Sequence, residues 1–373
     1  MRFLAVATFC ALTVAPLLPG QIERSLYEQM LRDKAPGELR KYHEMLEAYA
    51  RGDEAASVDA LLEWTHERVN NALALANGLK DPFTPWDRRR HGLAAMLHTD
   101  VALRVAPDAD TTDAFWHVDV AGRLLMMGTK ARPDEIRPLA ERWYLTLARY
   151  FRDRNAPYVA QLLLQHGRER LPDDAVILYE SGTLAELSGT DYALAGATTF
   201  NSASRGRVFQ LDRVLARRNG NLNDATGWLR QATTLDPGDD LLRVHLGRVL
   251  ALRREDDHAH RLLNDVIETT KDGATAYLAA VFIGGLRERQ GRLEDAAVAY
   301  RAGIARFPLG HAAYIGLSQV LQRTGKGDES REVLHNLLSE SLGPTREPLW
   351  WYQFDPPGVA EGRLDALRKE VRQ

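Results

Sequence analysis

The second half of the chain repeats a pattern of small and large residues, and this repeat constrains the fold more than any other feature. The small positions recur at intervals of 34, 37 and 34 residues, at Ala225, Ala259, Ala296 and Ser330. A large residue follows each by four positions, at Leu229, Leu263, Tyr300 and Leu334. Residues four apart share one face of a helix, so the spacing predicts one packed helix in every unit.

Upstream of each packed helix lies a second signal. Large–small pairs keep the same interval, at Leu246-Gly247, Ile283-Gly284 and Leu317-Ser318. Turn glycines stand five residues before three of the small positions, at Gly220, Gly291 and Gly325. Each unit is therefore predicted to be two amphipathic helices joined by a turn. Such a unit is too small to bury its apolar face alone, so neighbouring units must stack.

This pattern resembles the tetratricopeptide repeat (TPR), which has a large–small pair, a turn glycine, and then a small and a large residue. Residues 277–310 match best, and 311–344, 240–276 and 141–174 match less completely. Arg254 and Asn155 stand where two turn glycines belong. The resemblance implies an all-α, right-handed solenoid of helical hairpins over residues 141–344.

The resemblance also implies that the first helices line a concave groove that holds a protein or peptide partner, without a cofactor. The implied groove residues are Arg149, Arg152, Tyr179, Thr183, Glu186, Arg248, Glu288, Gln319 and Gln322. The positions that clamp a chaperone tail in related adaptors hold Leu241, Val244, Ala312 and Ile315, which disfavours that ligand. Alanine at Arg149 or Arg248 is expected to weaken binding without unfolding the protein.

Residues 190–221 interrupt the array in one of two ways. A first helix at 175–188, with Gly182 at its small position, pairs with a second helix at 222–236 across an insertion. In the alternative register, 206–239 is a complete unit with Phe209 in its first helix. Both readings place a loop at 196–204, because this segment is small and polar.

The first twenty residues are predicted to be a signal peptide. Arg2 precedes an uncharged, mostly apolar run, and a polar helical pattern begins at Gln21. We expect the protein to be exported to a periplasmic or extracellular space. Cleavage would remove Cys10, the only cysteine, and with it disulfides, thiol chemistry and Cys-ligated zinc. No later segment is apolar enough to predict a membrane span.

Composition adds one exclusion. The 48 basic and 51 acidic residues leave a formal charge of −3, which argues against a nucleic-acid partner.

The region 21–140 is predicted to be helical without a clear repeat. Its expected helices span 22–33, 37–51, 55–77, 86–105 and 112–128, and a further one starts at Pro138.

The sequence contains no His-Glu-x-x-His motif, no Gly-x-Ser-x-Gly elbow and no phosphate-binding loop with Gly-Lys-Ser/Thr. His258 and His260 lie two residues apart on one predicted helix, so their side chains diverge and no metal site is expected. The scaffold prediction has two rivals. One is a structural subunit of an envelope complex, and the other is an enzyme with a site in the N-terminal helices near His91, His98 and His117.

The C-terminal segment, 345–373, combines an aromatic strip with a final helix. The strip consists of Trp350, Trp351, Tyr352 and Phe354. It either folds back over the last repeat, because arrays need caps, or stays exposed as a docking strip for a partner. The helix Val359–Val371 carries one apolar stripe, so we expect it to cover the end of the array.

Overall fold

The computed structural model describes residues 36–67, 88–105, 112–131, 133–154, 157–189, 207–339 and 359–373. The predicted signal peptide, the helix at 22–33, the loop at 196–204 and the aromatic strip lie outside these residues. The described residues contain fifteen helices and no strand, so the expected all-α class is confirmed. Among them, no helix is both long enough and apolar enough to cross a bilayer.

Two compact units divide the chain. The N-terminal unit comprises the described parts of 1–136 together with 368–373, and the repeat unit spans 137–367. The helices before the array are α1 (Pro36–Arg51), α2 (Glu54–Glu67), α3 (Arg88–Val105) and α4 (Thr112–Ala131). Within the described residues, their bounds agree closely with the predicted ones. Their buried side chains include Tyr42, Leu46, Tyr49, Leu61, Leu97, Val101 and Leu124.

The array consists of consecutive helical hairpins. Its first helices are α5 (Pro133–Asp153), α7 (Ala175–Ser188), α9 (Asp240–Leu252), α11 (Gly273–Arg289) and α13 (His311–Arg323). Its second helices are α6 (Pro157–Arg170), α8 (Arg207–Leu235), α10 (Asp256–Thr269), α12 (Leu293–Arg306) and α14 (Gly327–Ser339). The final helix is α15 (Val359–Arg372). The helix expected from Pro138 begins five residues earlier, because Pro138 is accommodated inside α5.

Close packing between the two helices of a hairpin explains the repeated glycines. A Cβ atom added at Gly247 of α9 would lie 2.7 Å from Leu263 of α10, and Gly284 of α11 faces Tyr300 of α12 in the same way. The last hairpin carries serines instead, and the hydroxyls of Ser318 and Ser330 lie 2.8 Å apart. A small residue on each of these three first helices thus makes room for the neighbouring helix.

The turns of three hairpins share one backbone conformation. Gly291 and Gly325 adopt φ values of 74° and 79°, and Arg254 adopts 69° at the matching position. In each turn the next residue's N–H donates to a carbonyl five positions earlier, as Glu255 does to Leu250. This is the usual end of a helix in a left-handed residue. The backbone therefore keeps the turn even where the sequence departs from glycine.

The structure decides between the two registers around 190–221. Gly182 of α7 faces Leu229 of α8, since a Cβ at Gly182 would lie 2.6 Å from the Leu229 side chain. Residues 207–235 form one continuous helix, so the alternative unit at 206–239 and the turn at Gly220 are wrong. Gly220 is exposed with open space around its Cα, and nothing there forces the chain to turn.

The end of the final helix packs within the N-terminal unit. Its stripe is buried as predicted, at Ala360, Leu364, Leu367 and Val371. Val371 packs on Gly92 of α3, and Arg368 pairs with Asp100 of the same helix. Arg372 pairs with Glu54 of α2, within the same unit. The expected cover over the end of the array therefore stays a prediction.

Candidate functional site

The first helices of the array carry a chain of polar contacts that passes from each hairpin to the next. We call it the polar row; it comprises Arg149, Arg152, Tyr179, Glu180, Glu186, His245, Arg248, Glu288 and Arg323. Six of these nine residues were predicted as groove residues: Arg149, Arg152, Tyr179, Glu186, Arg248 and Glu288. The structure therefore brings most of the predicted groove side chains into one connected arrangement.

The row begins between α5 and α7. The Nε atom of Arg149 donates to Glu180 Oε1 at 2.7 Å, and Arg152 Nη1 donates to Glu180 Oε2 at 3.3 Å. Glu180 is buried, with 6% of its surface exposed, so the two arginines neutralise a carboxylate that has little contact with water. The charges of both arginines are therefore balanced largely by ion pairing within the protein.

A triad of polar side chains connects α7 with α9. His245 Nδ1 donates to Glu186 Oε2 at 3.0 Å, and its Nε2 lies 3.2 Å from the Tyr179 hydroxyl. Glu186 and His245 are both fully buried. Burial, and then the nearby carboxylates of Glu180 and Glu186, raise the pKa of Tyr179, so its hydroxyl stays protonated. A phenol held in this form is suited to hydrogen bonding and not to nucleophilic attack.

Arg248 extends the row from α9 to α11. Its Nε lies 3.0 Å from Glu186 Oε1, and its guanidinium carbon stands 4.8 Å from the centroid of the Phe282 ring. The ion pair and the cation–π contact hold the guanidinium between two first helices. Its position is fixed by the fold before any ligand binds.

The row ends between α11 and α13. Arg323 Nη1 donates a hydrogen bond to Glu288 Oε2 at 2.8 Å. The Tyr300 hydroxyl donates one to Glu288 Oε1 at 2.6 Å. Across the described row, each acidic side chain thus has a basic partner on an adjoining first helix. The arginines therefore do not form an unbalanced basic surface for an acidic ligand.

The remaining predicted groove residues differ in exposure. Thr183 is buried, and its hydroxyl donates to the Glu180 carbonyl within the same helix. Gln319 and Gln322 are exposed on α13. Ile315 lies on the same face, at i, i+4 and i+7 with them, and is 46% exposed. We call Ile315, Gln319 and Gln322 the α13 stripe. The strip of Trp350, Trp351, Tyr352 and Phe354 lies outside the described residues.

Sequence reasoning missed three members of the row, Glu180, His245 and Arg323. It also missed Phe282, whose ring contacts Arg248. A signal existed for Glu180, because two arginines at groove positions of α5 require an acidic partner on the next first helix. His245 gave no such signal, since an isolated histidine on an apolar helix face is ordinarily a core residue.

The histidines of the N-terminal unit form a second polar cluster. His98 Nδ1 and His117 Nδ1 lie 2.9 Å apart, and His98 Nε2 lies 3.1 Å from the Tyr42 hydroxyl. All three side chains are buried. Burial lowers the pKa of His117 to about 4, and burial and then His117 hold the pKa of His98 well below its usual value. Both rings are therefore neutral near pH 7 and bond to each other and to the phenol.

His91 is also buried, on α3 with His98. Among the described residues, no group of three or more His, Cys, Asp or Glu side chains is arranged to hold a metal ion. The exposed His258 and the half-buried His260 lie on α10, where His260 is bonded to Asn264 and Arg287.

Comparisons with known proteins identify no family for the chain. No protein-family model and no curated protein matches it. Among solved structures, MamA is similar at 18% identity over 51% of this chain and 92% of its own, with a TM-score of 0.36. IFIT1, solved as a monomeric mutant with Gppp-AAAA, is similar at 12% identity over 78% of this chain and 67% of its own, with a TM-score of 0.35. The helices of the chain itself form a TPR-like array of helical hairpins.

Proposed function

We propose that the protein is an exported scaffold that binds a protein or peptide segment along the surface formed by its first helices. One observation carries this proposal. Five successive first helices are joined by the polar row, which fixes their spacing, and α13 presents three exposed groove residues beside it. A rigid row of parallel helices with exposed side chains at repeating positions is suited to an extended ligand.

The chemistry of the surface favours a ligand recognised without strong charge. The arginines of the polar row already pair with Glu180, Glu186 and Glu288. The α13 stripe offers two amides, each of which both donates and accepts hydrogen bonds, beside one exposed isoleucine. These groups match the backbone of an extended peptide together with an apolar side chain. We therefore propose a partner of near-neutral charge in place of an acidic one.

Site-specific photo-crosslinking tests the proposed surface. A photoreactive phenylalanine analogue at Gln319 or Gln322 should crosslink to one defined protein in the native extract, and mass spectrometry should map the crosslink to one segment. The control is the same analogue at Val298, which is 65% exposed on the second helix α12. Equal crosslinking from Val298 would contradict the proposal, as would the absence of any product from both α13 positions.

Export is proposed from the apolar run before Gln21 and has a separate test. Fusing residues 1–25 to a reporter that is active only outside the cytoplasm should give activity. Replacing Val6 and Leu12 with aspartate should abolish this activity, because charge within the apolar run blocks insertion. N-terminal sequencing of the mature protein would then place the cleavage site. A full-length mature protein that starts at Met1 would refute export by this route.

A further inference from the structure

The end of α15 occupies a site made by three helices of the N-terminal unit. We call residues 368–373 the tail, and we call Tyr49, Glu54, Gly92 and Asp100 the tail site. The tail lies 268 residues from Asp100 in the sequence, yet the structure places their side chains in direct contact. The tail is therefore a segment from the far end of the chain that completes this unit.

Shape is one part of the fit. Gly92 lies in α3, and a Cβ atom added there would stand 2.7 Å from Val371 Cγ1 and 3.0 Å from Val371 Cβ. The absence of a side chain at this position makes a notch that the β-branched Val371 fills. Val371 is correspondingly 5% exposed.

Charge is the second part. Arg368 donates to Asp100 Oδ1 from Nε at 3.0 Å and from Nη2 at 2.6 Å. The Tyr49 hydroxyl donates to Asp100 Oδ2 at 2.5 Å. Burial, and then the Asp100 carboxylate, raise the pKa of Tyr49, so this donor stays protonated. The Asp100 side chain is only 10% exposed, and without Arg368 it would be a carboxylate held away from water beside a phenol.

A second arginine completes the recognition. Arg372 pairs with Glu54 of α2, and its guanidinium carbon lies 4.9 Å from the centroid of the Tyr49 ring. The tail site thus contacts Arg368, Val371 and Arg372, at positions i, i+3 and i+4. These three side chains lie on one face of the helix. A guanidinium with two nitrogens on one carboxylate is not replaced by a lysine, because an ammonium group cannot make the same fork.

We propose that the tail site is a binding site for a helix with arginine at i and i+4 and a β-branched apolar residue at i+3. In the isolated chain, the tail is its occupant. A partner protein that presents the same pattern would bind there once the tail leaves, so the tail acts as a competing ligand built into the chain. This inference concerns the N-terminal unit and stands apart from the surface proposed on the first helices.

Binding of a synthetic peptide to the full-length protein tests the proposal. The probe is a fluorescein-labelled peptide of residues 359–373, and the protein carries Arg368→Glu and Arg372→Glu, which release its own tail. Fluorescence anisotropy should show saturable binding to this variant. Binding to the wild-type protein should be at least about tenfold weaker, because the tethered tail competes at a high effective concentration. A peptide carrying R368K should lose at least about tenfold in affinity.

The matched control is Lys369→Glu, which reverses an exposed charge beside Arg368 on the same helix. In the protein it should leave the tail bound, and in the peptide it should leave affinity unchanged. Equal binding of the peptide to wild-type and released protein would overturn the proposal. So would equal affinity of the parent peptide and one carrying R368A.

A charge exchange covers the case in which the released variant does not fold. Asp100→Arg and Arg368→Asp should each lower the thermal midpoint of the full-length protein, and the double variant should recover most of the loss. Absence of recovery would overturn specific recognition of Arg368. Sedimentation of the wild-type protein decides whose tail is bound. A monomer supports the competing ligand, and a dimer that dissociates on Arg368→Glu would assign the site to the tail of a second copy.

Discussion

At the scale of single residues, Arg254 adopts a backbone conformation that favours glycine. Its φ of 69° matches those of Gly291 and Gly325, and its side chain is exposed. Arg254→Gly should therefore raise the free energy of unfolding by about 1 kcal/mol, because relief of the left-handed strain exceeds the entropy cost of glycine. Urea denaturation followed by circular dichroism measures the change. Arg254→Ala is the control, and a similar gain from it would show that the φ angle is not the cause.

The hairpin glycines should respond to a methyl group in opposite ways according to their surroundings. Gly247→Ala should lower the free energy of unfolding by about 1–3 kcal/mol, because the new Cβ would meet Leu263 at 2.7 Å. Gly227→Ala in α8 should raise it by about 1 kcal/mol, since Gly227 has open space and alanine favours the helix. Destabilisation by both substitutions, measured by urea denaturation, would disprove the close-packing explanation.

The histidine pair should make stability depend on pH. In the folded state the pKa of His117 is lowered to about 4, and that of His98 is lowered as well. Below the ordinary pKa of histidine, the unfolded chain therefore binds more protons than the folded chain does. The stability that the two neutral rings contribute is complete above about pH 6.5 and is lost as the pH falls toward 4. For His117 alone, the loss between pH 6.5 and 5 is about 2 kcal/mol.

Urea denaturation at several pH values measures this dependence. His117→Asn should flatten it, because asparagine can still donate to His98 but does not titrate in this range. His258→Gln, at an exposed position on α10, is the control and should leave the slope unchanged. A His117→Asn variant with the wild-type slope would contradict the account.

At the scale of helices, the polar row changes what a groove substitution is expected to do. From the sequence, alanine at Arg248 is expected to weaken partner binding without affecting stability. In the structure, however, Arg248 Nε lies 3.0 Å from Oε1 of the fully buried Glu186. Arg248→Ala should therefore lower the free energy of unfolding by about 2–3 kcal/mol, because it leaves a buried carboxylate without its cation. Thermal and urea denaturation both test this.

The companion substitution Glu186→Gln supplies the control for Arg248→Ala. A neutral amide needs no cation, so the double variant should be more stable than Arg248→Ala alone. The same reasoning applies less strongly to Arg149, since Arg152 also pairs with Glu180. If Arg248→Ala keeps the wild-type stability, the ion pair with Glu186 does not stabilise the fold and this account of Arg248 is contradicted.

The local pattern of the array was largely predictable because it depends on spacing. A small residue, a large residue four positions on and a turn glycine each reflect contacts within one hairpin, and Gly182 was correctly placed from them. The failure at Gly220 has a physical cause. Glycine weakens a helix by only about 1 kcal/mol, and the packing of Leu222, Ala225 and Leu229 along the rest of α8 outweighs it.

At the scale of the whole molecule, contacts between distant segments escaped prediction. The pairing of Arg368 with Asp100 and of His98 with His117 joins residues whose relation no local period encodes. The apolar stripe of α15 predicted that the helix is buried but not where it lies, because any apolar surface can receive such a stripe. The spacing of Arg368, Val371 and Arg372 on one face was the available signal for a specific acidic partner.

The central claim is that the first-helix surface binds a partner, and a pair of matched substitutions tests it most directly. Ile315 and Val298 are exposed isolated apolar residues, 46% and 65% exposed, on a first and a second helix of the array. Both Ile315→Asp and Val298→Asp should leave the fold intact. Once crosslinking has named the partner, isothermal titration should show at least about tenfold weaker binding for Ile315→Asp and wild-type binding for Val298→Asp. Equal affinity of the two variants would contradict the account.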